Sequence, residues 1–103
     1  MQYTVYLKRA KRGINAKGTY DAEKNTLTVK SGSLISKTVS PSLSFRSLPA
    51  IIKTRSTTTI DNKVISDVVF RSPSTAANYV LGVSTNGLLA WKDENDKSLK
   101  ELL

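Results

Sequence analysis

Tyr3, Val5 and Leu7 alternate with Thr4, Tyr6 and Lys8. A period of two predicts a strand with one buried face. Lys11, Arg12 and Gly13 break it. Ile14, Ala16, Gly18 and Tyr20 then alternate with polar neighbours and predict a second strand. Residues 21–25, DAEKN, read as a turn. Leu27 and Val29 between Thr26, Thr28 and Lys30 predict a third strand, so the second and third form a hairpin. Gly32 between two serines suggests a bulge or a close backbone approach.

Residues 38–47 carry no such period, and Pro41 argues against a central strand. A helix follows, with Ser47 as N-cap, Pro49 in the first turn, and Lys53 and Arg55 towards its C-terminal end. Residues 57–60 and 63–70 are rich in β-formers, with Asp61-Asn62 as the turn between them. The clearest element starts at Ser72. Ser72 caps, Pro73 takes the first helical position, Ala76, Ala77, Val80 and Leu81 make an apolar face, and Gly82 stops the helix. Asn86-Gly87 reads as a turn before a short strand at residues 88–91. Residues 93–97, DENDK, form another turn. Ser98 and Glu101 have capping-box spacing, which predicts a last short helix. The pattern gives one α+β domain over residues 1–103, with a small, mostly antiparallel sheet and two or three short helices.

Composition narrows the chemistry. A length of 103 residues fits a single domain. There is no Cys, so disulfides and thiol chemistry are excluded. There is no His either, which removes the usual general base and the commonest metal ligand. No apolar run approaches the ~18 residues of a membrane span. The N-terminus lacks a charged segment followed by an apolar one, so a cytoplasmic protein is expected. The charge changes the picture most. Sixteen Lys and Arg against eight Asp and Glu give a net charge of +8. Five of the bases and no acid fall within residues 1–18. Clustered bases at this balance are the footprint of a nucleic-acid binder.

The candidate residues follow from that footprint. Lys8, Arg9, Lys11, Arg12 and Lys17 are the expected phosphate contacts, against the alternative of a solvated strand edge. Arg71 with Ser72 and Ser74 offers a second anion seat, because a helix N-terminus presents N–H groups and partial positive charge, against the favoured alternative of a plain N-cap. Arg46, Lys53 and Arg55 are outlying candidates. Tyr6 lies on the face opposite Tyr3, beside Lys8, and is the ring placed to stack on an unpaired base. Trp91, Tyr3, Tyr20 and Tyr79 read as packing residues. Asp93 and Asp96 read as a solvated turn, since the loop lacks the Gly and terminal Glu of a calcium loop. Serines abound, but no His activates one, so no catalytic set and no cofactor are expected.

The run from residue 68 to 102 resembles the signature of a small domain of unknown function. The carrying residues are Phe70, Ser72-Pro73-Ser74, Ala76-Ala77, Gly82, Ser84, Asn86-Gly87, Trp91-Lys92 and Leu99. Residues 14–36 are similar to the family's other half, an Ala-x-Gly strand followed by Lys30-Ser31-Gly32-Ser33. Arg46 and residues 48–52 fill its middle slot, with Ser56 or Thr57 where the pattern has a Gly. That domain is commonly appended to the C-terminus of GIY-YIG nucleases and restriction-system proteins. The resemblance thus implies an accessory module in the company of DNA, not a catalytic one. The expectation is a DNA-binding module, DNA being favoured over RNA as partner. The alternative is a protein–protein docking module whose contact is an apolar patch or an open strand edge.

Overall fold

The computed structural model describes residues 2–40 and 47–103. Three strands come first: β1 (Gln2–Arg9), β2 (Ile14–Asp21) and β3 (Thr26–Val29). Helix α1 (Ser47–Thr58) leads into the short hairpin β4 (Thr59–Ile60) and β5 (Lys63–Val64), then β6 (Val68–Phe70). Helices α2 (Pro73–Leu81), α3 (Gly87–Ala90) and α4 (Leu99–Leu102) complete the chain. The main sheet has the order β1-β2-β3-β6, with every pair antiparallel. The α+β class expected from the pattern is the observed one.

The register puts the alternating apolar residues in rows. Tyr3, Tyr20, Leu27 and Phe70 make one row across the sheet. Val5, Gly18, Val29 and Val68 make the next, and Leu7 faces Ala16. Val5, Leu7, Ala16, Leu27 and Val29 have no solvent exposure, and neither do Ala76, Ala77, Tyr79 and Val80 of α2. These residues form one core with Trp91 and Leu99. Burying each Val or Leu among them contributes about 1.5–3 kcal/mol relative to exposure. Gly18 leaves room for Leu27, with Trp91 next to it. A Cβ there would come 2.8 Å from Leu27 Cδ2 and 3.4 Å from Trp91 Cζ3.

The two hairpins are joined through Leu34. Asn15 bridges Leu34, and Leu34 bridges Lys63 of β5. The first half of β2 therefore continues into the β4–β5 hairpin, and its second half into β3. Asp61 and Asn62 both take positive φ, 50° and 66°, which gives the tight two-residue turn expected there.

Several elements differ from the expectation, each for a local reason. Helix α1 runs on to Thr58 through residues that read as β-formers. Thr58 Oγ1 donates to the Thr54 carbonyl (2.6 Å) and Thr59 Oγ1 to that of Arg55 (2.7 Å), so the terminal carbonyls find partners. The cap expected of the Ser47 side chain and residues 41–46 lie outside the described residues. The stretch 63–70 is not one strand, because Asp67 turns away to accept from Ser31 N–H (2.8 Å) and Lys30 Nζ (2.9 Å). Residues 87–90 form a helical turn, not a strand. Asn86 caps it by accepting the Leu88 N–H at 3.1 Å. Gly32 sits at φ 91° with open space around it, so it serves a turn and not a close approach.

A closer constraint operates at Gly87. A Cβ there would collide with the Pro73 carbonyl and the Ser74 nitrogen. The same Pro73 carbonyl accepts from Trp91 Nε1 at 3.1 Å. Gly87→Ala should therefore push α3 off α2 and strain the Trp91 bond. Overpacking of this kind costs about 1–3 kcal/mol, a fall of roughly 5–15 °C in thermal midpoint for a domain this size. A melting curve followed by tryptophan fluorescence checks it, and an unchanged midpoint would show the packing there to be slack.

Candidate nucleic-acid interface

The inner rows of the sheet leave an outer face of the opposite parity. On β1 it carries Thr4, Tyr6 and Lys8. Across on β2 stand Thr19, Lys17 and Asn15, in that register. Beyond Lys8 the hairpin closes through a 3-10 turn at Ala10–Arg12, with Gly13 at φ 69°. Residues 8–13 are all exposed. Lys8, Arg9, Lys11, Arg12 and Lys17 thus belong to one hairpin, and none joins an ion pair with a carboxylate among the described residues. Lys30, by contrast, is paired with Asp67 at 2.9 Å.

Three of the five side chains make contacts within the protein. Lys8 Nζ sits 5.0 Å from the Tyr6 ring centroid. Arg9 Nη1 donates to the adjacent Lys8 carbonyl (2.8 Å), an exposed bond that keeps the group on the surface. Arg12 Nη2 donates to the Leu81 carbonyl (3.2 Å), at the C-terminal end of α2. The fold brings Lys37, which no sequence pattern singles out, to the same end, because Ser36 N–H donates to Val80 O at 2.8 Å.

The expected second seat is placed differently. Ser72 Oγ accepts the Thr75 N–H (3.1 Å) and so caps its own helix. Ser74 Oγ accepts the Gly87 N–H (2.9 Å), and the Gly87 backbone lies against the Ser74 nitrogen. Ser72 and Ser74 thus both have partners within the fold, and Arg71 and Thr75 are exposed beside them. The length of α2, about 13 Å at 1.5 Å per residue, separates Arg71 from Arg12.

The outlying candidates also divide. Lys53 is exposed on α1, and Arg46 lies outside the described residues. Arg55 is half-buried and turned inward. Its guanidinium donates to the carbonyls of Ser36 (2.9 Å), Tyr79 and Val80 and to Ser36 Oγ (2.7 Å). Burial lowers its pKa from the ordinary value, and no carboxylate offsets that. Arg55 is a structural cation. Nothing in its neighbourhood in sequence marks it so, because its partners come from separate segments.

The acidic turn after Trp91 lies against β1. Tyr6 N–H donates to Lys92 O (2.7 Å), and Lys92 N–H to Tyr6 O (3.0 Å). That bridge brings Asp93, Glu94 and Asp96 beside Tyr6, Lys8 and Arg9 in a cleft of about 270 Å³. A second cleft, of about 490 Å³, holds Tyr6, Lys17, Asp93 and Glu94. The turn and the hairpin are each visible in the sequence, but no local signal ties them together. Among the described residues no cluster of three metal-ligating side chains occurs, and no helix is long and apolar enough to cross a membrane.

Residues 5–103 match the family described as Domain of unknown function (DUF4357). The chain belongs to the DUF4357 family. No curated protein matches it, and no solved structure does. In this DUF4357 domain the motif residues Ser72, Pro73, Gly82, Gly87 and Trp91 all serve the packing of α2.

The exposed tie between Asp67 and Lys30 has a pH signature. The Lys30 ammonium, and next the Ser31 N–H, hold the Asp67 carboxyl below the usual carboxylate range. A carboxyl with a depressed native pKa stabilises the fold above its unfolded pKa, about 3.9. That contribution is lost as pH falls through the native value. Urea midpoints between neutral pH and about pH 3 should fall on acidification, and Asp67→Asn should flatten part of that fall. Parallel profiles for the two proteins would remove Asp67 as the cause.

Proposed function

We propose that this DUF4357 domain is a non-catalytic nucleic-acid-binding module, favouring DNA over RNA, that grips phosphates with its β1–β2 hairpin. One observation carries the reading: five exposed cations on a single hairpin have no carboxylate partner among the described residues. Carboxylates of the 93–96 turn lie nearby, yet they form no ion pair with any of the five. Neutralising phosphates releases counterions, which makes such binding strong at low salt and weak at high salt. The absence of His and Cys from the sequence leaves no usual base or thiol nucleophile, in keeping with a module that positions another activity. A role beside a GIY-YIG nuclease or within a restriction-system protein is part of the same proposal and rests on the sequence resemblance.

A docking role is the second reading, and one feature favours it. Leu34 and Ile60 both pair with Lys63 across the joined hairpins and are 41% and 62% exposed.

Fluorescence anisotropy with a labelled duplex of about 20 base pairs, two helical turns, separates the two. Binding should fall in the range of about 10⁻⁴–10⁻⁶ M and weaken steeply with salt. The Lys8/Arg9/Lys11/Arg12 quadruple alanine variant should lose most of it. Because Arg12 also caps α2, the Lys8/Arg9/Lys11 triple variant serves as the fold-neutral version. Its salt slope should drop by roughly 0.9 for each phosphate no longer neutralised. No duplex binding at low salt, or an unchanged slope in the triple variant, would overturn the reading and leave docking.

A further inference from the structure

Tyr6 is the wall shared by the two clefts, and Asp93 and Glu94 line both. The three carboxylates of the turn are not equivalent. Asp93 Oδ1 already accepts the N–H groups of Asn95 and Lys97, both at 2.9 Å. Asp96 lies 3.6 Å from Lys92 Nζ. Glu94 is exposed and has neither a hydrogen bond nor an ion pair among the described residues. A free carboxylate beside a phosphate-gripping surface repels the ligand's backbone. The same group is a strong acceptor for paired N–H donors, as carboxylates are for the forked donors of arginine.

Among the common bases, guanine alone presents two adjacent N–H donors on its pairing edge, N1–H and N2–H. In a duplex that edge is occupied by cytosine, and in an unpaired strand it is open. The cleft supplies what such a base needs. Tyr6 offers the ring face opposite the one that carries Lys8 Nζ as a surface to stack on. Lys8 and Arg9 in one cleft and Lys17 in the other offer cations to the phosphates on either side.

We infer that the clefts flanking Tyr6 form a site for one unpaired guanine, stacked on Tyr6 and read by the Glu94 carboxylate. The inference rests on the nucleic-acid reading above and names the part of the ligand that the hairpin cations do not. It converts the acidic turn from an obstacle to binding into the source of base choice. The preferred ligand is a single strand, bulge or end carrying guanine.

Anisotropy titrations test this with labelled dT strands of about nine nucleotides, a length within the usual single-strand site range. One strand is all dT, one has a central dG, and one has a central inosine, which keeps N1–H but lacks the N2 amine. The dG strand should bind tighter than all-dT by roughly fivefold or more, and inosine should lose much of that gain. Glu94→Gln should abolish the preference for dG while leaving all-dT binding equal or tighter, since a repelling charge is gone. Glu94 is exposed and unbonded, so this variant should fold. Tyr6→Ala should weaken the dG strand roughly fivefold or more. Equal affinity for dG and dT strands, or a preference that survives Glu94→Gln, would overturn the guanine site. If duplex binding persists in that case, the phosphate grip stands alone. If neither duplex nor strand binds at low salt, both readings fall.

Discussion

The rest of the structure depends on how the two ends of α2 are satisfied. This helix carries the apolar face that covers the sheet, and six of its nine residues are buried. A helix end leaves backbone N–H or C=O groups without intrahelical partners, and away from water each must be met by protein. At the N-terminal end Ser72 caps, Ser74 holds the Gly87 N–H, and the Pro73 carbonyl takes the Trp91 indole. At the C-terminal end Gly82 turns left-handed, Arg55 spans the Tyr79 and Val80 carbonyls, and Arg12 reaches that of Leu81. Hydrogen bonds from a charged donor contribute about 1.5–3 kcal/mol each. Two guanidinium groups at the negative end of the helix dipole add to that.

Those contacts decide where the remaining elements go. Gly87 must approach the Pro73 backbone, so α3 crosses the start of α2 and delivers Trp91 beside Gly18. Gly82 is limited in the same way. A Cβ there would collide with the Thr38 carbonyl, and Ser40 N–H donates to Gly82 O at 2.6 Å. Helix α1 has a weak apolar face, with Ile51 buried and Ile52 52% exposed. It is held by Arg55 and by the Thr58 hydroxyl, 2.7 Å from the Tyr79 hydroxyl. The SPS…G…NG…W pattern therefore describes one packing problem and its solution.

The same contacts explain what could be read in the chain. The first three strands were legible because their alternation is strict and one face is buried, as Val5, Leu7, Ala16 and Leu27 show. Helix α2 was legible because Ser72, Pro73 and Gly82 punctuate it. The turn at residues 87–90 was not. Asn-Gly before four apolar residues fits a hairpin and a capped helix turn equally well, and only the fit of Gly87 against Pro73 decides. The end of α1 was hidden because Thr58 and Thr59 satisfy backbone carbonyls that β propensity alone would leave to a sheet. Arg55 looked like a surface base, since its Ser36, Tyr79 and Val80 partners are far away in sequence. The hairpin cations were legible as a cluster, whereas their neighbourhood with Glu94 depends on the Tyr6–Lys92 bridge.

The division of labour among the cations follows from these contacts. Arg55 meets carbonyls inside the fold, and Arg12, exposed on the hairpin, donates to that of Leu81. Lys8, Arg9, Lys11 and Lys17 meet no carboxylate among the described residues, and surface charges of that kind contribute little to stability. Their number instead raises self-repulsion in the compact state, which partner phosphates would relieve. The acidic turn is placed beside that field, yet it does not pair with it. Asp93 is turned to its own loop amides and Asp96 to Lys92, which leaves Glu94 as the open carboxylate of the clefts around Tyr6. A surface built only to attract a polyanion would place no free carboxylate there. On the proposal made above, the unpaired cations, the half-buried ring of Tyr6 and the open acceptor of Glu94 would suit a ligand that carries both phosphates and an open base edge.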